Sequence, residues 1–300
     1  MMMRHFNKLL LYIVTLLGFA APQLHAQEPT KGLLYEISGN GLPKPSFLFG
    51  TFHVLRSGYF DSHPIVNSCF EKVDNLIVEV ELKDGATDDL QDAMLMPGIA
   101  VSDYLSSDEI NKLDIKLTLS TGSGIDAYDH IKPAAIMLSI TSAMPAKAKE
   151  KYAMYEGVVM DTYLMEKAHD NGKPVISLET VDEQVDALFG DPIELQIAQL
   201  KDYLNMEDHD AKIGGQVVDL YFDEDLAGMY QMALDNPDQI GTMDRILTQR
   251  NNNWLKKLPV LMKEGTCFIA VGALHLAGPI GLVNQLRKAG YTVKAVTPKK

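Results

Sequence analysis

Apolar residues cluster in short runs at both ends of the chain, and two of these runs share one ending. Phe47 to Leu55 reads FLFGTFHVL and Phe268 to Leu276 reads FIAVGALHL, each with a glycine followed by a histidine three positions later. Short apolar runs rich in β-formers and bounded by turn residues predict buried strands. Leu33 to Ser38 predicts a further strand, and Gly39-Asn40-Gly41 with two following prolines turns it back as a hairpin into the first of these runs. His63-Pro64 opens a helix to about Lys72, and Asn75 to Leu82, NLIVEVEL, predicts a strand that holds Glu79 inside it. From about 84 to 171 the apolar spacing becomes helical. Ser106 to Glu109 forms a capping-box signature, and Ile125 to Met144 and Gly157 to His169 continue as helices.

Val175 to Leu178 returns to strand character and ends at Glu179-Thr180, and Val181 to Phe189 opens a mostly helical stretch at about 181–262, with a break at Asn236-Pro237-Asp238. The last section reads as strand Thr266 to Gly272, helix Pro279 to Ala289 and strand Tyr291 to Val296, a unit of the kind that makes a parallel crossover. The expected fold class is α/β. A central mixed β-sheet carries flanking helices, with a helical insertion at about 84–171 capping the strand ends, all in one domain over 27–300.

The first residues change the setting. Arg4 and Lys8 precede the apolar stretch Leu9 to Ala21, and Leu24-His25-Ala26 offers a small residue for cleavage, so 1–26 reads as a secretory signal peptide. The expected location is periplasmic or secreted, with no stable transmembrane segment once the leader is cut. At 46% hydrophobic the 300 residues can bury a substantial core. Loss of 1–26 removes two cations and no acid, taking the net charge from −13 to −15. Such a surface repels phosphate backbones and argues against nucleic acid as a partner. Cys69 and Cys267 would both meet an oxidising compartment, where a disulfide between them is possible if the helix carrying Cys69 packs beside the strand carrying Cys267.

Candidate chemistry follows from the strand ends, because ligands of open α/β sheets gather there. Gly50 and Gly272 allow either a positive φ or the close approach of another backbone or a metal. His53 and His275 follow them. Glu79, a carboxylate in an apolar run, asks for a neutralising partner, whether a Lys or Arg from a packed helix or a metal ion, or else acts as a general base. Glu179 either caps the helix that follows or joins the site. In DRILTQRNNNW, Arg250 can clamp a carboxylate such as Glu79, or a substrate's acidic group, with its planar fork, or sit in a surface ion pair.

FLFGTFHV, LIVEVEL, GKPVISLET, RNNNW and VGALHLAGPIGLVNQLRKAGYTV together resemble the TraB/GumN (TraB/PrgY/GumN, Tiki-like) family over nearly all of 27–300. The resemblance implies a Tiki/ChaN/erythromycin-esterase-like fold and a metal-dependent peptidase whose two GxxH motifs and one acid form the site: Gly50 and His53, Gly272 and His275, and Glu79. Arg250 and Asn251 match a recurrent family segment. Two imidazoles and a carboxylate can hold a divalent ion, with Zn, Mn, Co or Fe all compatible and no HExxH helix present. If Glu79 is a ligand, Glu179 is available as base; if Glu79 is the base, the site is one ligand short. The expected partner is a peptide or protein substrate. The rival expectation is a non-catalytic protein that binds a peptide, a metal or haem in the same cleft.

Overall fold

The computed structural model describes residues 31–81, 86–142, 155–206, 209–235 and 243–297. The expected leader and the Asn236-Pro237-Asp238 break lie outside them. Six strands form one mixed sheet: β1 (Leu34–Ser38), β2 (Ser46–Thr51), β3 (Asn75–Val78), β4 (Val175–Ser177), β5 (Cys267–Gly272) and β6 (Thr292–Ala295), in the order β4-β3-β5-β2-β1-β6. The hairpin forms as expected, with β1 antiparallel to β2. β2, β5, β3 and β4 are mutually parallel neighbours. Parallel strands need both faces covered, which is why β2 and β5 read as near-continuous apolar runs and are buried along almost their whole length.

One face is aromatic. Phe49 and Phe268 meet at 6.0 Å between ring centroids, and Phe70 of the Pro64–Glu71 helix closes on Phe268 at 5.6 Å. The other face takes the Arg250–Glu264 helix. Side chains alternate along a strand, so Cys267 points away from Phe268 and its sulfur lies 3.6 Å from the Leu261 carbonyl of that helix. Cys69, beside Phe70, belongs to the helix on the Phe268 side. The cysteines are therefore held by opposite faces, and both are free, buried thiols, so the disulfide is not made here. Burial pushes Cys69 up and Cys267 up to about 11, which leaves both unreactive.

A second apolar cluster lies within the expected insertion and beyond it. Leu113, Leu117, Ile136, Met137, Leu200 and Tyr203 pack together from the helices Ser107–Thr121, Pro133–Thr141 and Ile193–Asn205. The capping box at Ser106 and Glu109 forms with both of its hydrogen bonds. The helix expected over Ile125 to Met144 is broken: a 3-10 turn at Ile125–Ala127 precedes a helix that starts at Pro133. Proline fits the first turn of a helix and disrupts the interior. Likewise β3 stops at Val78, so Glu79 is the first residue past the strand and not inside it. The closing unit also differs, because β6 is separated from β5 by β2 and β1 and pairs antiparallel with β1. Among the described residues no helix is long and apolar enough to cross a membrane.

Gly50 is required by close approach, with no positive φ involved. A Cβ there would lie 2.9 Å from the Ala273 Cα and 3.0 Å from its Cβ, in the turn that carries His275. Gly50→Ala is expected to cost about 1–3 kcal/mol through overpacking, read as a lowered urea midpoint at unchanged slope. A midpoint equal to that of the parent chain would show that the two turns are not wedged together.

Candidate functional site

The parallel register brings the four strand ends to one edge. Thr51 lies opposite Gly272, and Val78 opposite both Ala270 and Ser177. Residues just past these ends therefore line up across the sheet in the order Glu179, Glu79, His275, His53. Sequence positions up to 222 apart are assembled by strand pairing alone.

His275 sits in the 3-10 turn Ala273–Leu276 and is only 4% exposed. The Arg250–Glu264 helix fixes it: the Asn251 amide donates to the carbonyls of His275 and Ile280 (3.2 and 3.0 Å), which leaves its oxygen to accept from His275 Nδ1 at 2.8 Å. The imidazole is thus the Nδ1–H tautomer, with the Nε2 lone pair facing Glu79 and Arg250. Burial pulls its pKa down, and Arg250 adds to this against Glu79, leaving it at about 3. A proton on Nε2 would face the Arg250 Nη1 donor 3.1 Å away.

His53 is held in the same manner from another direction. Its Nδ1 lies 2.9 Å from Asp161 Oδ2, and the other oxygen of Asp161 accepts from Thr51 Oγ1 at 2.8 Å. Asp161 stands in the first turn of the Met160–Asp170 helix, where the macrodipole favours an acid. Desolvation pulls His53 down, but the hydrogen bond and charge of Asp161, with Glu79, outweigh it and raise the imidazole to about 9. The Tyr221 hydroxyl donates to the Gly50 carbonyl at 2.9 Å and steadies the strand end from which His53 leaves. Neither Asp161 nor Tyr221 was among the expected site residues. Each occupies an ordinary amphipathic helix position, and its role exists only through a tertiary contact.

Gly272 explains itself by what surrounds it. A Cβ at this position would lie 3.4 Å from Glu79 Oε1, 3.4 Å from His53 Nε2 and 3.7 Å from His275 Cδ2. The three expected ligands thus converge on one glycine, with no positive φ at that residue. The Gly272 amide donates to Glu79 Oε1 at 2.7 Å. Burial alone would raise the Glu79 carboxyl; His275, Arg250, His53 and the Gly272 amide together hold it at about 2.

Arg250 fills the centre of this arrangement. Its fork grips Glu179 through Nε (3.0 Å) and Nη2 (2.6 Å), Nη2 also donates to Glu79 Oε2 at 2.6 Å, and Nη1 to His275 Nε2. Its guanidinium lies over the Trp254 ring, and the indole N–H donates to Glu179 Oε2 at 3.1 Å. Of the readings of Arg250, the carboxylate clamp is found, with the fork on Glu179 and a single N–H on Glu79. Glu179 does not cap the next helix, because Thr180 and Glu183 form that cap. Burial raises the Glu179 carboxyl despite the Arg250 pairing. Both of its oxygens are taken, so in this arrangement it anchors Arg250 instead of standing ready as a base.

The donor chemistry suits a divalent cation. Each imidazole has its Nδ1 committed to an outer partner, the arrangement that orients histidine ligands, and His53 Nε2 and Glu79 Oε1 border the same space beside Gly272. Glu79 Oε1 and His275 Nε2 are 3.8 Å apart, close to the roughly 3.4 Å between two ligands of a tetrahedral ion with bonds of about 2.0–2.1 Å. The spacing, however, is set by the guanidinium. Among the described residues no three His, Cys, Asp or Glu side chains stand close enough together to hold a metal ion.

The family model described as the TraB/PrgY/gumN family matches residues 33–295. The uncharacterized protein YbaP of Escherichia coli K12 is 27% identical over 243 residues, covering 79% of this chain and 88% of that protein. Metalloprotease TIKI2 of Danio rerio is 24% identical over 313 residues, covering 85% of this chain and 59% of its own length, and that of Xenopus tropicalis is 23% identical over 309 residues, covering 83% and 57%. No solved structure matches the chain.

The two histidines bind protons with opposite signs, and this fixes a pH dependence. His53 is raised from 6.5 to about 9, so stability present below pH 6.5 is lost as pH rises towards 9. His275 is lowered to about 3, so the unfolded chain alone takes its proton below 6.5 and stability falls as pH drops from there. With chelator present, the urea midpoint is expected to peak near pH 6.5. Asp161→Asn should flatten the alkaline limb and leave the acid limb in place. An alkaline limb unchanged in this variant would remove Asp161 as the cause.

Proposed function

The chain belongs to the TraB/PrgY/gumN family, and on that premise we propose that it is an exported metal-dependent hydrolase that cleaves peptide bonds. The observation that carries this reading is the pair of GxxH histidines, each fixed through Nδ1 by Asp161 or Asn251, with His275 Nε2 3.8 Å from Glu79 Oε1 and His53 Nε2 reaching the same space beside Gly272. The resemblance to proteins named metalloproteases supports it at low identity.

His53, His275 and Glu79 would hold the ion, which supplies Lewis acidity and lowers the pKa of bound water. Zinc, manganese, cobalt and iron all suit this donor set. Asp161 and Asn251 keep the two imidazoles in the tautomer that frees Nε2. His53 must give up its proton to act as a ligand, so loading releases protons. Its ring is the exposed member of the set, with 62% of the side chain open to solvent, and marks the side from which a peptide enters. Periplasmic or secreted placement belongs to this proposal and rests on the leader-like residues 1–26.

A second reading, a non-catalytic protein that binds a peptide, a metal or haem, draws support from the guanidinium standing among the ligands. Metal analysis of the purified chain followed by turnover of a peptide library, with and without chelator, separates the two. Hydrolysis abolished by chelator and restored by one metal is expected. His53→Ala and His275→Ala should each lower it by about 100-fold or more, beyond the roughly 10–100-fold typical of losing only an outer partner of a ligand. Stoichiometric metal with no chelator-sensitive cleavage would favour the binding protein.

A further inference from the structure

Arg250 reaches the site from the end of a wide turn. The stretch Asp244–Gln249 before it is wound as a π-helix, whose hydrogen bonds close from i to i+5. Positions five apart therefore return to nearly the same side, whereas on an α-helix they stand about 140° apart. The Gln249 amide donates to Asp244 Oδ2 at 2.8 Å across this spacing. Arg245 and Arg250 are also five apart, and both border one cavity of about 120 Å³ beside Glu179.

The two guanidiniums hold the two ends of one helix. Val181–Phe189 starts directly after Glu179 and its Thr180 cap, and Arg250 grips that Glu179 with its fork. At the other end Arg245 Nη2 pairs with Asp186 Oδ2 at 2.9 Å and donates to the Asp186 carbonyl, while Nη1 lies 3.3 Å from Asp191 Oδ1. The helix has acids in its first turn, Asp182 and Glu183, and no cation in its last. Arg245 supplies one from outside, where the macrodipole favours it. Gly190 ends the helix at an ordinary negative φ and makes the room, since a Cβ there would lie 2.4 Å from Arg245 Nη2. With α winding over 244–250 the two grips would fall on different sides and could not both be made.

We propose that Arg245 is a positioning residue of the site. It pins the far end of the Val181–Phe189 helix and so holds Glu179 square to the Arg250 fork, and Arg250 in turn fixes Glu79 and His275. The π turn is the device that lets one short stretch make both grips. The inference concerns how Arg250 is held, and it stands on either reading of the function.

Two side-chain N–H groups report it without any assay of activity. Arg250 Nε and Trp254 Nε1 both donate to Glu179 Oε2, at 3.0 and 3.1 Å. Their exchange with solvent is followed by proton–nitrogen NMR on the chelator-treated chain, with the β5 amides as the measure of global opening. Arg245→Gln is expected to speed both exchanges about tenfold or more and to leave the β5 amides unchanged. Arg245→Lys, which keeps the charge and loses the second arm, should fall between this variant and the parent. Asp186→Asn should act in the same direction as Arg245→Gln. The double variant should be no faster than Arg245→Gln alone, because both changes remove one contact. The Asp186 side chain is 76% exposed, so Asp186→Asn carries the test where Arg245→Gln does not fold. Side-chain exchange unchanged in both single variants, or quickened only in step with the β5 amides, would reduce Arg245 to a surface ion pair or a general stabiliser and overturn the assignment.

Discussion

Everything at the sheet edge depends on one buried guanidinium. Glu79 and Glu179 leave adjacent parallel strands, and both come to rest where water cannot reach them freely; two such carboxylates repel each other and lose hydration. Arg250 answers both at 2.6 Å. Losing one partner of a buried pair costs about 3–5 kcal/mol, so the three residues stand or fall together. The remaining lone pairs are also met, by the Gly272 amide on Glu79 and the Trp254 indole on Glu179. A network of this kind specifies a single arrangement because every polar atom in it has a partner.

That arrangement is possible because the sheet is parallel where it matters. Four neighbouring strands pointing the same way deliver four polar residues to one edge, while β1, antiparallel to both of its neighbours β2 and β6, reverses the direction on the far side. The two GxxH motifs are wedged together at their glycines. Gly50 admits the Ala273 backbone, and Gly272 leaves open the space into which Glu79, His53 and His275 point. In both places the missing side chain makes room for a neighbour, and the backbone could have been occupied by other residues at a steric cost.

Much of this was legible in the chain. Apolar runs ending in GxxH marked two strand ends, and a carboxylate inside the apolar run NLIVEVEL was too costly to leave unpartnered, which pointed to Glu79 and to a cation such as Arg250. What local pattern could not carry was anything decided by tertiary packing. Asp161 reads as an ordinary acid in a first helical turn, and Tyr221 as one aromatic on an apolar helix face. The cysteines looked like neighbours because their helix and strand both pack in the core, yet alternation along β5 sends Cys267 to the face away from Phe268. The end of β3 was overrun by one apolar pattern continuing past the last ladder pairing at Val78.

The two histidines, alike in sequence, are unlike in setting, and the difference says how the site is built. His275 is sealed between Trp254, Asn251 and Arg250, and it is neutral because burial and the facing guanidinium exclude a proton. His53 lies at the open side, and it is charged because a carboxylate from the Met160–Asp170 helix faces it. One wall is therefore rigid and already deprotonated, while the other is accessible and poised by an element from the helical insertion. On the metal-dependent reading proposed above, a ligand arriving at the exposed His53 side would meet first the group whose proton must leave, and only then the wall that needs no change. Through the single carboxylate of Asp161, the Met160–Asp170 helix sets the charge of the exposed half of the site.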